Sequence, residues 1–386
     1  MTKTRVLTVL VAALTLSMPA FAGGSREDRG ASPAPTVTAA PEVYSYEALV
    51  AAAQAEGQLV VYDTSSRIER VAANFEAAYG IPVSATKMSN PEQIERVRRE
   101  VDAGNIQVDV IGISDGPVLV NELIPQGYVT NWVPEDLASI FPREFQNPLT
   151  YRLEQRIFGY NTDSHDAPPI TNIWQLTEPE WRGKVMLRDP ATTPSNIGFF
   201  AALTREHDAL ARAYRAHFGR EIQLTEENAG WEFLLRFFKN DPVVLRSDGD
   251  VGDAVGAAGQ SDAPLGFYVY TKHRDNETKD LRLAVNFDID PFIGYASGTH
   301  VAVVNGGPNP NAARLFVRFL LTEEGVGPWV LEDLGGYSPN PQVGVHADDE
   351  LGSWAAWQPQ LVQLDDELTW AIGQDILDLW LMNAGR

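Results

Sequence analysis

The segment Gly57–Val83 constrains the fold more than any other stretch, because it holds a complete strand–helix–strand unit. A short apolar run, Leu59–Tyr62, leads into the loop Asp63–Ser66, and the helical pattern that follows is stopped by Gly80. In an open α/β sheet, ligands bind beyond the carboxyl ends of the strands, where helix N-termini point. Hydroxyl side chains are also favoured as plain helix caps, so this loop alone predicts a ligand site or a cap with equal weight.

The same alternation recurs along the chain. The apolar run Val108–Ile113 is followed by Ser114-Asp115-Gly116, and the strand pattern Lys184–Leu187 leads into the polar loop Thr192–Asn196 before another helix. A third loop, Ser247–Gly249, follows a further short strand. Repeated strand–helix units are typical of a parallel sheet with right-handed crossovers. The sequence therefore predicts an α/β fold.

The chain is long enough for two lobes rather than one core. About 345 residues follow the N-terminal segments, which exceeds the usual size of a single core. The chain passes through a first α/β half and then a second, and it returns to the first near Phe292. This order implies two crossovers between the lobes, with a ligand cleft between the lobes. We predict lobe 1 from residues 43–155 plus 296–340, and lobe 2 from residues 156–295 plus 341–386.

The N-terminus has the pattern of an export signal. A basic start, a short apolar core and the Ala20-Phe21-Ala22 site predict a signal peptide over residues 1–22, cleaved after Ala22. Residues 23–42 are rich in Gly, Ser, Ala and Pro, which predicts a disordered spacer. There is no cysteine for a disulfide or a lipid anchor. We expect a protein of the periplasm.

The formal charge of −22 limits the choice of partners. It argues against nucleic acid and anionic membrane surfaces, which attract basic proteins. A small anionic ligand remains compatible, because helix ends and a few arginines act locally. We expect a monomer.

Several phrases carry a resemblance to a known family: LVVYDTSS, VDVIGISDG, EWRGKVMLRDP and GTHVAVVNGGPNPNAARLFVRFLLTEEGVGPW. With the order and spacing of the elements, they resemble extracytoplasmic solute-binding proteins of ABC importers, in the branch that binds ferric iron, thiamine and sugar phosphates. The resemblance covers nearly all of Tyr46 to Arg386. It implies the two-lobe periplasmic binding protein fold of type 2, which captures a solute by hinge closure and delivers it to an ABC permease in the inner membrane.

Iron-binding members of that branch often place a His just after the first strand and two adjacent tyrosines in the second lobe. This chain has Ser66 at the first place and Thr271-Lys272 at the second. Tyr268 and Tyr270 alternate along a predicted strand, so both are expected on one face, toward the cleft. Because of these differences, the resemblance implies an anionic solute as the first candidate. Ferric iron is kept as the alternative.

An organic anion, such as a sugar phosphate or another phosphorylated or carboxylated compound, fits the strand-end loops. They supply hydroxyls, amides and helix N-termini, while aspartates and tyrosines offer partners for sugar hydroxyls. Taken singly, an aspartate is more often a helix cap, and a tyrosine is as often core packing. The candidate ligand-binding residues are Thr64, Ser65, Ser66, Asp115, Thr193, Ser195, Asn196, Asp248, Tyr268, Tyr270, Tyr295 and Tyr337.

Several common signatures of an enzyme are missing from the sequence. There is no H-E-x-x-H, no P-loop and no cysteine nucleophile. We therefore predict no catalytic residue, no metal ligand and no cofactor. A secreted hydrolase of sugars or phosphate esters is the remaining alternative of another class, because paired carboxylates cannot be recognised from sequence alone. The expected motion is lobe rotation about Arg156–Tyr160 and Phe292–Thr299.

Overall fold

The computed structural model describes residues 44–349, 352 and 354–384, so the predicted signal peptide and spacer lie outside the described residues. The predicted alternation of strands and helices is present. The first part of the chain contains α1 (Tyr46–Glu56), β1 (Leu59–Asp63), α2 (Ile68–Tyr79), β2 (Val83–Lys87), α3 (Asn90–Asp102), β3 (Val110–Ile113), α4 (Gly116–Val118), β4 (Val129–Thr130) and β5 (Thr150–Asn161).

The middle of the chain forms a second set of strands and helices. In chain order these are β6 (Val185–Arg188), α5 (Pro194–Arg205), α6 (His207–Phe218), α7 (Ala229–Lys239), β7 (Val243–Leu245), α8 (Asp248–Gly256), β8 (Leu265–Val269), α9 (Asp275–Thr278) and β9 (Leu283–Val285). The last part contains β10 (Gly294–Val304), α10 (Pro310–Leu320), α11 (Glu323–Val330), β11 (Gly336–Tyr337), α12 (Trp354–Trp357), β12 (Leu361–Val362) and α13 (Asp366–Asn383).

The strands described form one continuous sheet in the order β2-β1-β3-β10-β5-β8-β6-β7. The groups β2-β1-β3 and β8-β6-β7 are each parallel, whereas β10 and β5 pair antiparallel with each other and with their outer neighbours. The ribbon of β5 and β10 therefore joins two parallel α/β halves. This arrangement confirms the prediction of an α/β fold with two crossovers; the residue boundaries of the lobes stay a prediction.

We call strands β5 and β10 together the hinge ribbon. Its two faces carry different side chains. Ser297 pairs with Glu154 and Thr299 with Arg152, so these four point to one face. Ala296, Gly298 and Leu153 point to the other, and an irregularity after Thr299 brings His300 opposite Thr150. On its outer edge, β10 pairs with β12 at Gly294 and Tyr295 and with β3 from His300 onward.

Helices cover both faces of the parallel groups. In the first half, Leu59 and Val61 of β1 pack with α1, α2 and α10, whereas Tyr62 packs with α3 and the turn after α4. A larger apolar cluster, rich in Phe and Trp, fills the second half and includes Trp174, Phe199 and Phe233. Strands buried on both faces have long apolar runs, as in VDVIGI.

Several local predictions needed correction. The apolar spacing predicts a helix over Ser66–Tyr79, but helix α2 begins at Ile68 with Arg67 in the N-cap position, and Ser66 is in the preceding turn. The stretch Pro117–Gln126, closed by Gly127, has the pattern of a helix, but the structure has a short α-turn there followed by a π-helical stretch, Leu119–Leu123. Helices α6 and α11 were not predicted, and α11 holds Pro328 in its interior.

Candidate ligand-binding cleft

A polar cavity of about 670 Å³ opens where the carboxyl ends of the strands of the two halves meet. The loops after β1 and β3 border it from one half, and the segments after β6, β7 and β8 border it from the other. Residues Arg152, Glu154, Ser297 and Thr299 of the hinge ribbon form its base. This is the position in which open α/β sheets bind ligands. We call this cavity the cleft.

The cleft is lined by far more positive than negative side chains. Three carboxylates face it, from Glu154, Asp248 and Asp333. Seven cationic side chains face it, from Arg67, Lys87, Arg152, Arg156, Arg188, Lys272 and Arg274. The excess of positive charge contrasts with the net charge of −22 of the whole chain. The local field of the cleft therefore favours an anion.

Asp248, the first residue of α8, holds two of these arginines. Its carboxylate forms a two-pronged pair with the Arg156 guanidinium, and its Oδ2 lies 3.5 Å from Nη1 of Arg188. The backbone N–H of Val269 donates to Oδ1 at 3.3 Å. Burial alone would raise the pKa of Asp248, but the charges of Arg156 and Arg188 and these hydrogen bonds hold the pKa below its usual value.

Asp333, which follows α11, holds a second pair of arginines. Its Oδ2 accepts from Arg67, in the turn before α2, and from Arg274, beyond β8. Arg67 also donates to the backbone carbonyl of Pro328 at 2.8 Å. Because Arg67 and Arg274 belong to the two different halves, this carboxylate joins them across the cleft.

Arg152 of the hinge ribbon is held in a third way. Its guanidinium lies 3.3 Å from Glu154 and is centred 5.3 Å from the ring of Trp329. The Tyr151 hydroxyl, which accepts from Nε of Arg152, donates to buried Asp63 at 2.6 Å. Burial outweighs the charge of Arg152 and raises the pKa of Asp63. Arg152 is thus fixed with its charge toward the cleft.

Some cationic groups of the cleft lack partners. Within the described residues, neither Lys87 nor Lys272 forms an ion pair, and Nε of Arg156 and of Arg188 is buried without a hydrogen-bond acceptor. Buried donors of charged groups are costly to leave unpaired. These groups can bind the oxygens of an anion.

Five of the predicted site residues line the cleft: Thr64, Ser65, Ser66, Ser195 and Asp248. Ser65 also has a structural role, because its Oγ accepts from Nε1 of Trp329 at 2.9 Å and from the backbone N–H of Arg67 at 3.2 Å. The Tyr295 hydroxyl lies 2.9 Å from both Ser195 Oγ and Asn196 Oδ1. Tyr295 and Asn196 are therefore buried directly beneath the cleft wall.

The structure places the other predicted residues away from the cleft surface. Tyr268 is fully buried, with its hydroxyl 3.2 Å from Nε2 of His273, and Tyr270 begins a 3-10 helix instead of continuing β8. Their rings therefore do not share a cleft-facing strand surface. Tyr337 is buried and accepts from Nε1 of Trp357 at 2.8 Å.

The two remaining predicted residues lie at helix starts. Asp115 caps α4 by accepting from the backbone N–H of Val118 at 3.4 Å, and burial raises its pKa. Thr193 occupies the N-cap of α5, but its Oγ1 is buried without a partner among the described residues.

The arginines are the functional candidates that sequence reasoning missed. Arg152 and Arg156 lie in a strand that is almost entirely buried, and a charge inside a buried strand is a usable signal, because such a charge needs a partner. Arg67 directly follows the serine loop, and Arg188 ends β6. Only the closeness of these four arginines in space depends on the fold.

Known proteins share this architecture. The model of the bacterial extracellular solute-binding protein family matches residues 59–330. Iron-bound HitA from Pseudomonas aeruginosa superposes with a TM-score of 0.65 at 17% identity, over 84% of this chain and 98% of HitA. AfuA from Actinobacillus pleuropneumoniae, a periplasmic binding protein with fructose-6-phosphate bound, gives a TM-score of 0.60 at 16% identity, over 85% of this chain and 98% of AfuA.

Apo ferric ion-binding protein A from Pasteurella haemolytica also matches, with a TM-score of 0.65 at 17% identity, over 84% of this chain and 96% of that one. Among curated proteins, none matches the chain in sequence. In the part of the chain that the structure describes, no helix is long and apolar enough to cross a bilayer. The sequence match to the family model covers most of the chain, and the fold agrees with it. The chain belongs to the bacterial extracellular solute-binding protein family.

Proposed function

We propose that this protein captures a small organic anion, a phosphorylated or carboxylated solute, and presents it to an ABC permease. The observation that carries this proposal is the cleft lining, in which seven cationic side chains oppose three carboxylates in a chain of net charge −22. A basic cleft with low-dielectric walls concentrates anions and strengthens their hydrogen bonds.

All three carboxylates act as internal counter-ions, and two of them hold two arginines each. Asp248 holds Arg156 and Arg188, and Asp333 holds Arg67 and Arg274. Holding the arginines in place before the solute arrives lowers the entropy lost on binding. The unpaired lysines and free guanidinium N–H groups then supply the attraction. Phosphate or carboxylate oxygens suit planar guanidinium donors best.

Capture requires closure of the halves about the hinge ribbon, as in other two-lobe binding proteins. The solute is bound from both sides of the cleft and released unchanged, so no catalytic step is needed. A monomer in the periplasm, with its export signal removed, fits this role. The name of AfuA states a bound sugar phosphate, which supports the phosphorylated class.

Ferric iron is the second candidate, because the names of several structural neighbours state that they bind it. We place it second on two grounds. A trivalent cation is repelled by the excess of arginines and lysines in the cleft, and the two tyrosines considered as iron ligands, Tyr268 and Tyr270, are buried away from it.

A thermal-shift screen of the purified chain tests the proposal, followed by calorimetric titration of each hit. The panel contains sugar phosphates, small carboxylates, thiamine and its phosphates, and ferric citrate. We expect one or more organic anions to raise the melting temperature and to bind with one-to-one stoichiometry, without being turned over. A rise in melting temperature with ferric citrate but not with citrate alone would show that the solute is ferric iron and not an organic anion. Conversion of a phosphate ester by clean protein would instead support the hydrolase alternative.

A further inference from the structure

A second cavity of about 390 Å³ lies on the opposite face of the hinge ribbon. Its wall includes the ribbon residues that point away from the cleft, namely Thr150, Leu153, Ala296, Gly298 and His300. The first turn of α13, with Asp366, covers it from the outside. We call this space the rear cavity.

The charge of the rear cavity is opposite to that of the cleft. Among the described residues, no lysine or arginine lines it, whereas Glu144, Asp365, Asp366 and Glu367 do. Arg205 pairs with Asp365 at 3.2 Å, but the side chain of Asp366 has no hydrogen bond or ion pair within the described residues. Burial, together with the charges of Asp115 and Asp365, raises the pKa of Asp366 to about 6. A nearby cation would relieve this repulsion.

His300 adds an independent acceptor, and its side chain is more than nine-tenths buried. The Thr150 hydroxyl donates to the carbonyl of Pro148 at 3.1 Å, so it accepts from Nδ1–H of His300 at 2.9 Å. The imidazole is neutral at pH 7 because burial lowers its pKa to about 4. Nε2 therefore carries the lone pair, has no partner among the described residues, and belongs to a side chain that faces the rear cavity.

Two aromatic rings complete the wall. Phe145 and Trp354 meet edge to face, with centroids 6.3 Å apart, and both line the rear cavity. Aromatic faces attract ammonium groups, particularly where water is partly excluded. A carboxylate without a partner, an imidazole lone pair and aromatic walls together suit a group that carries positive charge and several N–H donors.

The two cavities meet at one place. Ser114, Ser195 and Ser297 line both the cleft and the rear cavity. The meeting point coincides with the stretch of β10 between its pairings with β12 and β3. The two cavities are thus adjacent at the edge of the hinge ribbon.

We propose that the rear cavity binds an ammonium group, and that the solute of this protein is amphoteric, with its anionic group in the cleft and its amine in the rear cavity. This inference rests on the proposed function. It narrows the solute from any small organic anion to one that carries an amine at a fixed distance from the phosphate or carboxylate.

Matched pairs of probes test the inference by calorimetric titration. Each ω-aminoalkyl phosphate, with two to six carbons, is compared with the alkyl phosphate of the same length. At the chain length that spans the two cavities, the amine should improve the affinity at least tenfold. Simple alkylamines without phosphate serve as the control for binding of a separate cation.

The amine effect should depend on the rear cavity. In Asp366→Asn, the ratio between the two dissociation constants at the best length should fall to below threefold. Trp354→Leu should reduce the same ratio, and it provides a second variant should Asp366→Asn fold poorly. Asp375→Asn makes the same charge change on an exposed part of α13 outside the rear cavity, and it should leave the ratio at the wild-type value.

The outcomes separate this inference from the proposed function. Equal binding of both phosphate series at every length would overturn the inference and leave the anion-binding function in place. An amine gain that persists in Asp366→Asn and Trp354→Leu would also overturn it, as would equal binding of free alkylamines and aminoalkyl phosphates. If neither phosphate series binds, the proposed function fails, and the inference fails with it.

Discussion

Among single residues, the arginines and their aspartate partners determine the chemistry of the cleft. Asp248 and Asp333 each hold two guanidinium groups, so four of the seven cations are fixed by two carboxylates. Such pairs stabilise through good geometry rather than through burial itself, because desolvation offsets much of the attraction. The arginines differ in how far each of them is exposed to a ligand.

Arg188→Gln tests the contribution of a partly exposed cleft arginine. We expect anion affinity to fall by about tenfold to a hundredfold, since a charge-assisted hydrogen bond contributes about 1.5–3 kcal/mol. Arg246→Gln removes an almost fully exposed arginine that does not line the cleft, and it should leave the affinity unchanged. Isothermal titration of the best anion from the screen measures both. Equal losses in the two variants would point to a general charge effect.

Asp248→Asn tests the counter-ion role through pH. The pKa of Asp248 is lowered in the folded protein, so its stabilisation is present above its unfolded pKa of about 3.9 and disappears as the pH falls through the lower folded value. The gap in unfolding free energy between wild type and variant should be about 3–5 kcal/mol at pH 7 and shrink below about pH 4.

Urea denaturation at several pH values measures this gap. Asp375→Asn, which changes an exposed carboxylate, should show almost no gap at any pH. A gap for Asp248→Asn that stays constant down to pH 2.5 would contradict the role of its charge.

At the residue scale, the sequence revealed the loops but not the charges. Thr64, Ser65, Ser66 and Ser195 were found because hydroxyls after strands form a local pattern, and all four line the cleft. The arginines come from distant parts of the chain, and no local rule predicts that Arg67 and Arg274 share one carboxylate. The tyrosines were placed by alternation, which ends where β8 gives way to a 3-10 helix.

Among the elements, the hinge ribbon is the most constrained. Strand β5 spans twelve residues, and almost all of them are buried. It pairs with β10 and β9 along one edge and with β8 and β11 along the other, so little space remains around its backbone. Gly159 shows this clearly, because a Cβ atom there would overlap the phenol group of Tyr268.

Gly159→Ala should therefore destabilise the protein by about 1–3 kcal/mol, the usual cost of overpacking. Tyr268→Phe removes the overlapping oxygen, so the double variant should recover part of the loss. Gly327→Ala, in helix α11, meets only Leu331 at 3.7 Å and should be tolerated. Chemical denaturation of the four variants measures these effects. Additive losses in the double variant would show that the phenol does not limit this site.

Elements with a clear period were predicted well, and irregular ones were not. Helix α10 has apolar residues at helical spacing after an Asn-Pro start, which predicts a helix over Asn309–Leu321, and the observed helix spans Pro310–Leu320. Helix α11 contains two glycines and Pro328, which local propensity assigns to a turn. Packing against α2, α10 and β5 stabilises it instead, and this information is absent from the local sequence.

For the whole molecule, the cleft requires that two halves approach each other. The ion pair between Arg274 and Asp333 joins them across the cleft, whereas the neighbouring pair of Arg70 and Glu332 lies within one half. The length of the chain and its repeated strand–helix units were enough to predict two α/β halves. The distance between the halves depends on contacts such as this one, which the sequence does not indicate.

Arg274→Gln should widen the cleft in the ligand-free protein, because it removes the ion pair across it. The chain has no cysteine, so single cysteines introduced at exposed Glu76 and Lys239 can carry spin labels without background. We expect a longer and broader distance distribution in Arg274→Gln, and no change in the control Arg70→Gln. Identical distributions in wild type and Arg274→Gln would rule out a closing role for this pair.

The hinge ribbon also limits how the chain can vary in length. Side chains along β5 and β10 alternate between the basic cleft and the acidic rear cavity. Deleting one residue from either strand would turn every following side chain to the opposite face, so arginines would enter the acidic space and apolar groups the basic one. We therefore expect functional homologues to differ in the length of this ribbon only by even numbers of residues, or by an added bulge that restores the alternation.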